Sequence, residues 1–162
     1  MILMRDKMAK KRETAKNSIE MLAEQCIAVR LRMLSRAVTR IYNQALRPYG
    51  LTTSQMNILV AISCLGEARQ QEVCQTLHLE KSTLSRDVAR MRSQGWLDDV
   101  PGEDRRTALL RITLAGRRLL EEAIPAWQQA QKQATALLGE RQVRAFDQAA
   151  TALRKKSTIT RP

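Results

Sequence analysis

The stretch that decides the fold is residues 70–94, QQEVCQTLHLEKSTLSRDVARMRSQ. Its pattern predicts two short helices, at about residues 70–77 and 81–94, and Gly95 ends the second one. Apolar residues recur along the second helix at the spacing of one buried face: Leu84, Val88 and Met91. Only residues 78–80 lie between the two helices. Two short helices joined by so tight a turn predict a helix-turn-helix.

The periodicity of the chain changes after Gly95. Residues 96–100, WLDDV, are a strand candidate, and residues 107–113 alternate apolar and polar side chains, as a half-buried strand does. Residues 101–106, PGEDRR, connect the two with a Pro-Gly turn followed by charged side chains. These features predict a two-stranded β-hairpin with a charged tip, a wing, beside the helix-turn-helix.

Two helices are predicted upstream of the helix-turn-helix. A long helix starts near Asn17, at a sequence that approximates a capping box, and ends near Tyr49. Its apolar stripe has spacings of three and four residues: Ile27, Leu31, Leu34, Val38, Ile41 and Ala45. A second capping box at residues 52–55 opens a shorter helix that is closed by Gly66. This shorter helix carries Met56, Leu59, Val60 and Ser63.

Two further helices are predicted downstream of the hairpin. Thr113 caps the first, Pro125 predicts a kink within it, and Gly139 separates it from the second. The stripe of the first is Leu120, Ala123, Trp127, Ala130, Ala134 and Leu137, and the second is marked by Val143, Phe146, Ala150 and Leu153. The long flanking segments have no apolar partner in the central lobe, so we expect them to pack across two chains and form a homodimer.

The balance of charges points to an anionic partner. The chain has 162 residues, of which 28 are Lys or Arg and 16 are Asp or Glu, so the formal net charge is +12. Basic residues crowd residues 1–16 without apolar periodicity, which is typical of a mobile arm. This arm is either a solvated tail or a contact for nucleic-acid phosphates, and the sequence leaves both interpretations open.

Composition disfavours several other classes of protein. Aromatic residues are only 3% of the chain, which argues against sheet-rich folds and base-stacking platforms. The three cysteines have no C-x-x-C spacing, so we expect no disulfide framework, no metal site and no cofactor. A single histidine and the lack of a nucleophile or phosphate-loop motif argue against an enzyme. Without a signal segment or a long apolar run, we expect a cytoplasmic protein that does not engage a membrane.

The second helix of the helix-turn-helix presents hydroxyl and guanidinium groups opposite its buried face. These groups belong to Ser82, Thr83, Ser85, Arg86 and Arg90. Hydroxyls near a helix start bind phosphate oxygens, and guanidinium groups bind guanine edges or phosphates. A two-fold dimer would place two such helices in successive major grooves, about 34–36 Å apart. The sequence therefore predicts binding to a pseudo-palindromic double-stranded DNA operator.

The tip of the hairpin offers a second contact with DNA. Arg105 and Arg106 on a projecting loop can reach a neighbouring minor groove, whose negative potential attracts guanidinium groups. Asp104 would repel phosphates, so we expect it to orient Arg106 or an arginine of the recognition helix by a paired hydrogen bond. The alternative is that Asp104 is a simple turn residue after Pro-Gly.

Together these residues resemble the multiple-antibiotic-resistance regulator (MarR) family of bacterial winged-helix proteins. The similar segments are LTTSQ at 51–55, STLSR at 82–86, GWL at 95–97, DRR at 104–106 and LRITLAG at 110–116. The likeness spans about residues 51–120, and the flanking helical pattern extends it to about 20–155. It implies an obligate dimer that regulates nearby genes and leaves DNA when a small ligand binds. It also implies that Arg106 is the minor-groove arginine and Asp104 its partner.

The expected fold is therefore mainly α, a winged helix-turn-helix with a two-stranded β-wing framed by long terminal dimerisation helices. The expected regions are a basic arm at 1–16, dimerisation helices at 17–50 and 114–155, the DNA-binding lobe at 51–113 and a tail at 156–162. The expected function is a dimeric, sequence-specific transcriptional regulator, a repressor, whose DNA affinity responds to a small-molecule effector. The alternatives are a thiol-based redox sensor that uses Cys26 and a non-specific or architectural DNA-binding protein.

Two positions depart from the pattern that the resemblance implies. His78 stands at a turn position where helix-turn-helix proteins often carry Gly, but His tolerates a left-handed φ, so we expect the turn to form. Cys26 lies near where the peroxide-sensing branch places its reactive thiol, although the residues after it lack the tyrosine that this branch uses. Arg30 could lower the pKa of that thiol. We expect Cys26, Cys64 and Cys74 to be buried and inert.

Overall fold

The structure is a computed structural model that describes residues 20–102 and 108–159, with residues 154–159 given by their backbone alone. It divides into two compact units, one ending at Thr39 and the other beginning at Arg40. The predicted basic arm and the wing tip lie outside the described residues.

The first unit is helical where it is described, except at Cys26. Residues 20–25 form one helical stretch, and α1 (Ile27–Leu46) begins directly after Cys26. Backbone bonds continue across this point, because the Cys26 N–H donates to the Leu22 carbonyl at 3.1 Å. The predicted start near Asn17 lies outside the described residues. From residue 20 onward the predicted long helix is present, with one interruption at Cys26.

The second unit opens with the end of α1 and with α2 (Thr53–Leu65). A 3₁₀ turn, Arg47–Tyr49, separates the two helices and ends at Gly50, whose φ of 68° is left-handed. Thr52 caps α2 as predicted, since its hydroxyl accepts a hydrogen bond from the Gln55 N–H. The Gln55 side chain in turn accepts one from the Thr52 N–H at 3.0 Å.

The central lobe follows the predicted order. It contains β1 (Glu67–Ala68), α3 (Gln70–Leu77), α4 (Lys81–Ser93), β2 (Leu97–Pro101) and β3 (Ala108–Ile112). The strands form one antiparallel sheet in the order β1-β3-β2, so the wing carries a third strand that the sequence did not predict. Two residues are too few to show the alternation from which strands are recognised. The predicted winged helix-turn-helix is confirmed.

The core of the second unit lies where α2, α4 and the sheet meet. Leu84, Val88 and Met91 are fully buried, which confirms the predicted inward face of α4. They pack with apolar residues of the neighbouring elements: Ile58, Leu59, Ile62, Val73, Leu110 and Ile112. Val60, on the opposite side of α2, is 43% exposed.

Two long helices complete the second unit. Thr113 caps α5 (Leu114–Leu138), which runs through Pro125 and ends at Gly139, and α6 (Glu140–Ile159) extends past the predicted boundary at residue 155. No Pro or Gly interrupts the sequence between Gly139 and Pro162, which is consistent with the longer helix. The kink at Pro125 stays a prediction. Among the described residues, no helix combines the length and hydropathy that crossing a membrane requires.

Candidate nucleic-acid interface

The turn between α3 and α4 has the geometry that a helix-turn-helix needs. His78 follows α3 with φ 51° and ψ 43°, a left-handed conformation that places the next residues across the end of the helix. The Leu79 N–H then donates to the Cys74 carbonyl at 3.0 Å. The expectation that His78 would tolerate this turn is confirmed.

The side of α4 opposite its buried residues carries the predicted polar groups. Ser82, Ser85, Arg86 and Arg90 are exposed, and Thr83 is half-buried. They share one short helix, so the structure brings these five predicted site residues together on a single element. Their role in binding DNA stays a prediction.

Arg86 is partly oriented before any ligand binds. Its Nε donates to the Ser82 carbonyl one turn earlier, at 3.2 Å. Its terminal nitrogens form no ion pair with the described residues, and these are the donors that pair with guanine or phosphate. Within the described residues neither Arg86 nor Arg90 forms an ion pair.

Two side-chain bonds that sequence reasoning missed attach α4 to its neighbours. Ser54 of α2 donates to Asp87 Oδ2 at 2.6 Å. Arg92, near the end of α4, pairs with Asp99 of β2, and its own Nε is buried without a partner among the described residues. The signal that could have found the first bond is an acid within an otherwise basic helix.

The base of the wing is held by charges across the sheet. Arg111 lies in the middle strand, paired in register with Glu67 on one side and Asp98 on the other. It donates to both oxygens of Asp98, at 2.8 Å and 3.3 Å, and its Nη1 lies 3.9 Å from Glu67. These hydrogen bonds lower the pKa of Asp98 and raise the pKa of Arg111. The predicted tip residues, Asp104, Arg105 and Arg106, lie outside the described residues.

The cysteines differ in exposure from what the sequence suggested. Cys64 is exposed, whereas Cys26 and Cys74 are half-buried, so the expectation of three buried thiols is wrong. Cys64 lies near the end of α2, on the side turned away from the core formed by Leu59 and Ile62. In the described part of the chain, no three His, Cys, Asp or Glu side chains cluster as a metal site would require.

A tyrosine in α1 connects this helix to α5 within the second unit. The Tyr42 hydroxyl donates to the Gln131 side chain of α5, and partial burial raises the pKa of Tyr42. This contact ties the start of the second unit to its long downstream helix. Sequence periodicity did not indicate it.

Comparison with known proteins places this lobe in a family. Residues 49–107, which include α2, α3, α4 and β2, match the model of the MarR family. A transcriptional regulator of Bacillus subtilis, YwoH, is 31% identical over 88 residues, which are 54% of this chain and 64% of that protein. MarR of Salmonella typhimurium is 28% identical over 91 residues and is matched over 63% of its length. The chain thus spans somewhat less than two thirds of these relatives.

Solved structures extend the likeness to the flanking helices. The transcriptional regulator MosR of Mycobacterium tuberculosis, solved in complex with DNA, is 32% identical with a TM-score of 0.65, over 80% of this chain and 99% of MosR. A variant of Escherichia coli MarR complexed with operator DNA is 21% identical, with a TM-score of 0.72 over 82% and 96% of the two chains. At that identity the second likeness concerns the fold alone. The winged lobe, its family match and the nearly complete coverage of MosR together establish that the chain belongs to the MarR family.

Proposed function

We propose that this chain is a transcriptional regulator that binds double-stranded operator DNA through α4. The observation that carries the proposal is the division of α4 into two faces. Three apolar residues are fully buried on one side, and the hydroxyl and guanidinium groups on the other side are exposed or half-buried. A helix of this kind after a tight turn enters the major groove in helix-turn-helix proteins. The MosR and E. coli MarR relatives were solved with DNA, which supports the same partner here.

The groups on α4 suit two kinds of contact. Ser82, Thr83 and Ser85 lie in its first turns, where hydroxyls and free backbone N–H groups bind phosphate oxygens. Arg86 and Arg90 lie one turn apart, and each can bind a guanine edge or a phosphate. On this proposal the hydroxyls set the position of the helix on the duplex, and the two arginines read or clamp it.

The wing supplies the second contact in the proposal. Arg105 and Arg106 would enter the adjacent minor groove, with Asp104 orienting Arg106. The ion-paired strands β2 and β3 lead directly to these residues, which supports a firm base for the tip. Arg106→Ala should weaken operator binding by about 1–3 kcal/mol, and unchanged affinity at matched salt would contradict the assignment of the wing.

The proposed active form is a homodimer. Apolar side chains on the flanking helices stay open to solvent in the single chain: Ile27 is 71% exposed, Leu31 51% and Leu137 58%. Full burial of such a side chain is worth about 1.5–3 kcal/mol, and roughly half of that remains to be gained at each of these positions, which favours a second copy that covers them. A two-fold dimer would then present two copies of α4 to a pseudo-palindromic site.

Control by a small ligand is what the family resemblance implies, and the same resemblance covers both repression and activation. We propose a repressor whose DNA affinity falls when a small-molecule effector binds, and we assign neither the effector nor its pocket. The relatives are named as transcriptional regulators, which agrees with the expectation that this chain is not an enzyme. A regulator of this kind works beside the chromosome, in the cytoplasm. A redox sensor based on Cys26 remains a second candidate, which Cys26→Ser tests by removing any release of DNA by peroxide.

Fluorescence anisotropy tests the DNA-binding proposal directly. The probe is the duplex that the wild-type protein enriches from a pool of randomised DNA, compared with a random duplex of equal length. Arg86→Ala should weaken binding to the enriched duplex by about 1–3 kcal/mol. Arg141→Ala on α6 removes the same charge from an exposed site outside the lobe and serves as the matched control. Equal affinity of the wild type and the Arg86 variant would contradict the proposed role of α4.

A further inference from the structure

Asp87 is the only acidic residue on α4. The helix reads KSTLSRDVARMRS and carries four basic side chains. A carboxylate facing phosphates would oppose the attraction on which DNA binding depends. Where this carboxylate points therefore has consequences for the surface that the helix presents.

The side chain of Asp87 is turned toward α2. Its Oδ2 accepts a hydrogen bond from the Ser54 hydroxyl at 2.6 Å, within the range of strong bonds to charged acceptors. Both residues are half-buried. Ser54 lies in the first turn of α2, directly after the capped N-terminus, where the helix dipole also favours a negative charge.

This arrangement keeps the acid away from the arginines beside it. Arg86 is the preceding residue and Arg90 lies three residues on, a spacing at which Asp87 could otherwise form an ion pair across the helix surface. Neither arginine is ion-paired in the part of the chain that the structure describes. Their guanidinium groups consequently remain available to an external partner.

The same bond limits rotation of α4 about its own axis. The helix has a second attachment, from Arg92 to Asp99 of β2. At 3.6 residues per turn, positions 87 and 92 lie about 140° apart around the helix. Two attachments on different sides, one to α2 and one to the sheet, restrain rotation more closely than the non-directional apolar contacts of Leu84 and Val88 can.

From this geometry we propose that Asp87 and Ser54 form a positioning pair that sets the rotation of α4 and thereby its sequence specificity. The inference rests on the proposed function, because it matters only if α4 reads DNA. Neither side chain needs to touch DNA. The pair acts through Arg86 and Arg90, whose approach to base edges requires accurate placement of the helix.

Electrostatics alone predicts the opposite effect of removing this acid. Loss of a negative charge near phosphates strengthens binding to any DNA sequence. Loss of a positioning bond weakens binding to the preferred sequence and leaves non-specific binding as strong or stronger. The sign of the change on the preferred duplex therefore distinguishes the two explanations.

The test compares Asp87→Asn and Ser54→Ala with the wild type on the enriched duplex and on a random duplex at matched salt. We expect each variant to weaken binding to the enriched duplex by at least about tenfold, the order expected for one hydrogen bond to a charged group. Binding to the random duplex should be unchanged for Ser54→Ala and unchanged or tighter for Asp87→Asn. The double variant should bind the enriched duplex as tightly as the single variant with the lower affinity, since both substitutions remove the same bond.

Controls separate positioning from general damage. Asp147→Asn on α6 makes the same change of charge at an exposed site outside the lobe, and Ser63→Ala removes a hydroxyl near the other end of α2. Both should leave the preference for the enriched duplex intact. Circular dichroism during heating should show that Ser54→Ala and Asp87→Asn remain folded at the assay temperature.

Three results would overturn the inference. Asp87→Asn could tighten binding to both duplexes equally, Ser54→Ala could leave the preference unchanged, or the effects of the two variants could simply add. If any one of these results is obtained while Arg86→Ala still weakens binding to the enriched duplex, the inference fails and the proposed function stands. If the wild type shows no preference between the duplexes, the proposed function itself fails.

Discussion

Gly116 in the first turn of α5 is a position where one methyl group should disrupt the packing of α5 against the segment between α4 and β2. A Cβ placed there would lie 2.4 Å from the Trp96 carbonyl oxygen and 2.9 Å from Ile112 Cγ1. A carbon and an oxygen normally approach to about 3.3–3.6 Å, so backbone must move by about 1 Å. The carbonyl that must move also accepts a hydrogen bond from the Thr113 N–H at 3.1 Å.

The expected cost of Gly116→Ala can be worked out from two opposing effects. Forcing an extra carbon into a packed site costs about 1–3 kcal/mol of folding stability. This site should lie at the upper end of that range, because one of the contacts is with backbone, which moves less easily than a side chain. Replacing Gly by Ala within a helix stabilises the helix by about 1 kcal/mol. The net loss should be about 2 kcal/mol, which lowers the melting temperature of a chain of this size by about 4–8 °C.

Thermal and urea denaturation followed by circular dichroism measure this loss. Gly50→Ala is an informative comparison, because nothing lies within 4 Å of its Cβ position and only its φ of 68° opposes the change. That variant should lose about 1–2 kcal/mol from backbone strain alone. An unchanged or raised stability of Gly116→Ala would refute the close packing of α5 against Trp96.

Three further predictions concern the lobe. Hydrogen bonds from Arg111 lower the pKa of Asp98 below its ordinary value of 3.8, so their contribution to folding stability should be present above that pH and lost as pH falls through the lowered pKa. Asp98→Asn should therefore flatten the acid limb of a plot of urea midpoint against pH. An unaltered acid limb would count against the pairing of Asp98 with Arg111. Thr52→Ala removes the cap of α2 and should cost about 1 kcal/mol in urea denaturation, whereas no loss would contradict the capping box. Leu84→Ala should cost about 2–5 kcal/mol because Leu84 is fully buried, and a loss below 1 kcal/mol would mean that the core is less tightly packed than described.

Much of the fold could be predicted because its signals are local. The capping box at Thr52, the spacing of Leu84, Val88 and Met91, and the breaks at Gly95 and Gly139 each depend on residues within one or two turns. The strand β1 escaped prediction because two residues carry no period, and its pairing with β3 joins residues more than forty positions apart. Local pattern therefore located the helices and the hairpin but missed the sheet's third strand.

The candidate site was predictable in part for the same reason. The exposed hydroxyls and arginines of α4 follow from its helical period once the buried face is known. The bonds from Ser54 to Asp87 and from Arg92 to Asp99 do not, because each joins two elements whose relative orientation the sequence does not specify. The exposure of Cys64 likewise depends on which side of α2 meets the core, so the expectation of a buried thiol was wrong there.

The flanking helices carry apolar side chains that the single chain does not bury. Their apolar stripes were recognised in the sequence, yet Ile27, Leu31 and Leu137 remain open to solvent in the chain described here. Such stripes are typical of helices that pack against another copy. Sedimentation equilibrium should accordingly give twice the monomer mass of 18.4 kDa at micromolar concentration, and a stable monomer would contradict the proposed dimer.

The central claim is that α4 reads a DNA sequence, and the most direct test is the ratio of two affinities. Anisotropy titrations at one salt concentration compare the duplex enriched by the wild-type protein with a random duplex of equal length. The account predicts a preference of at least about 10³ for the enriched duplex, largely lost in Arg86→Ala. Equal affinity for the two duplexes, with a salt dependence common to both, would contradict it.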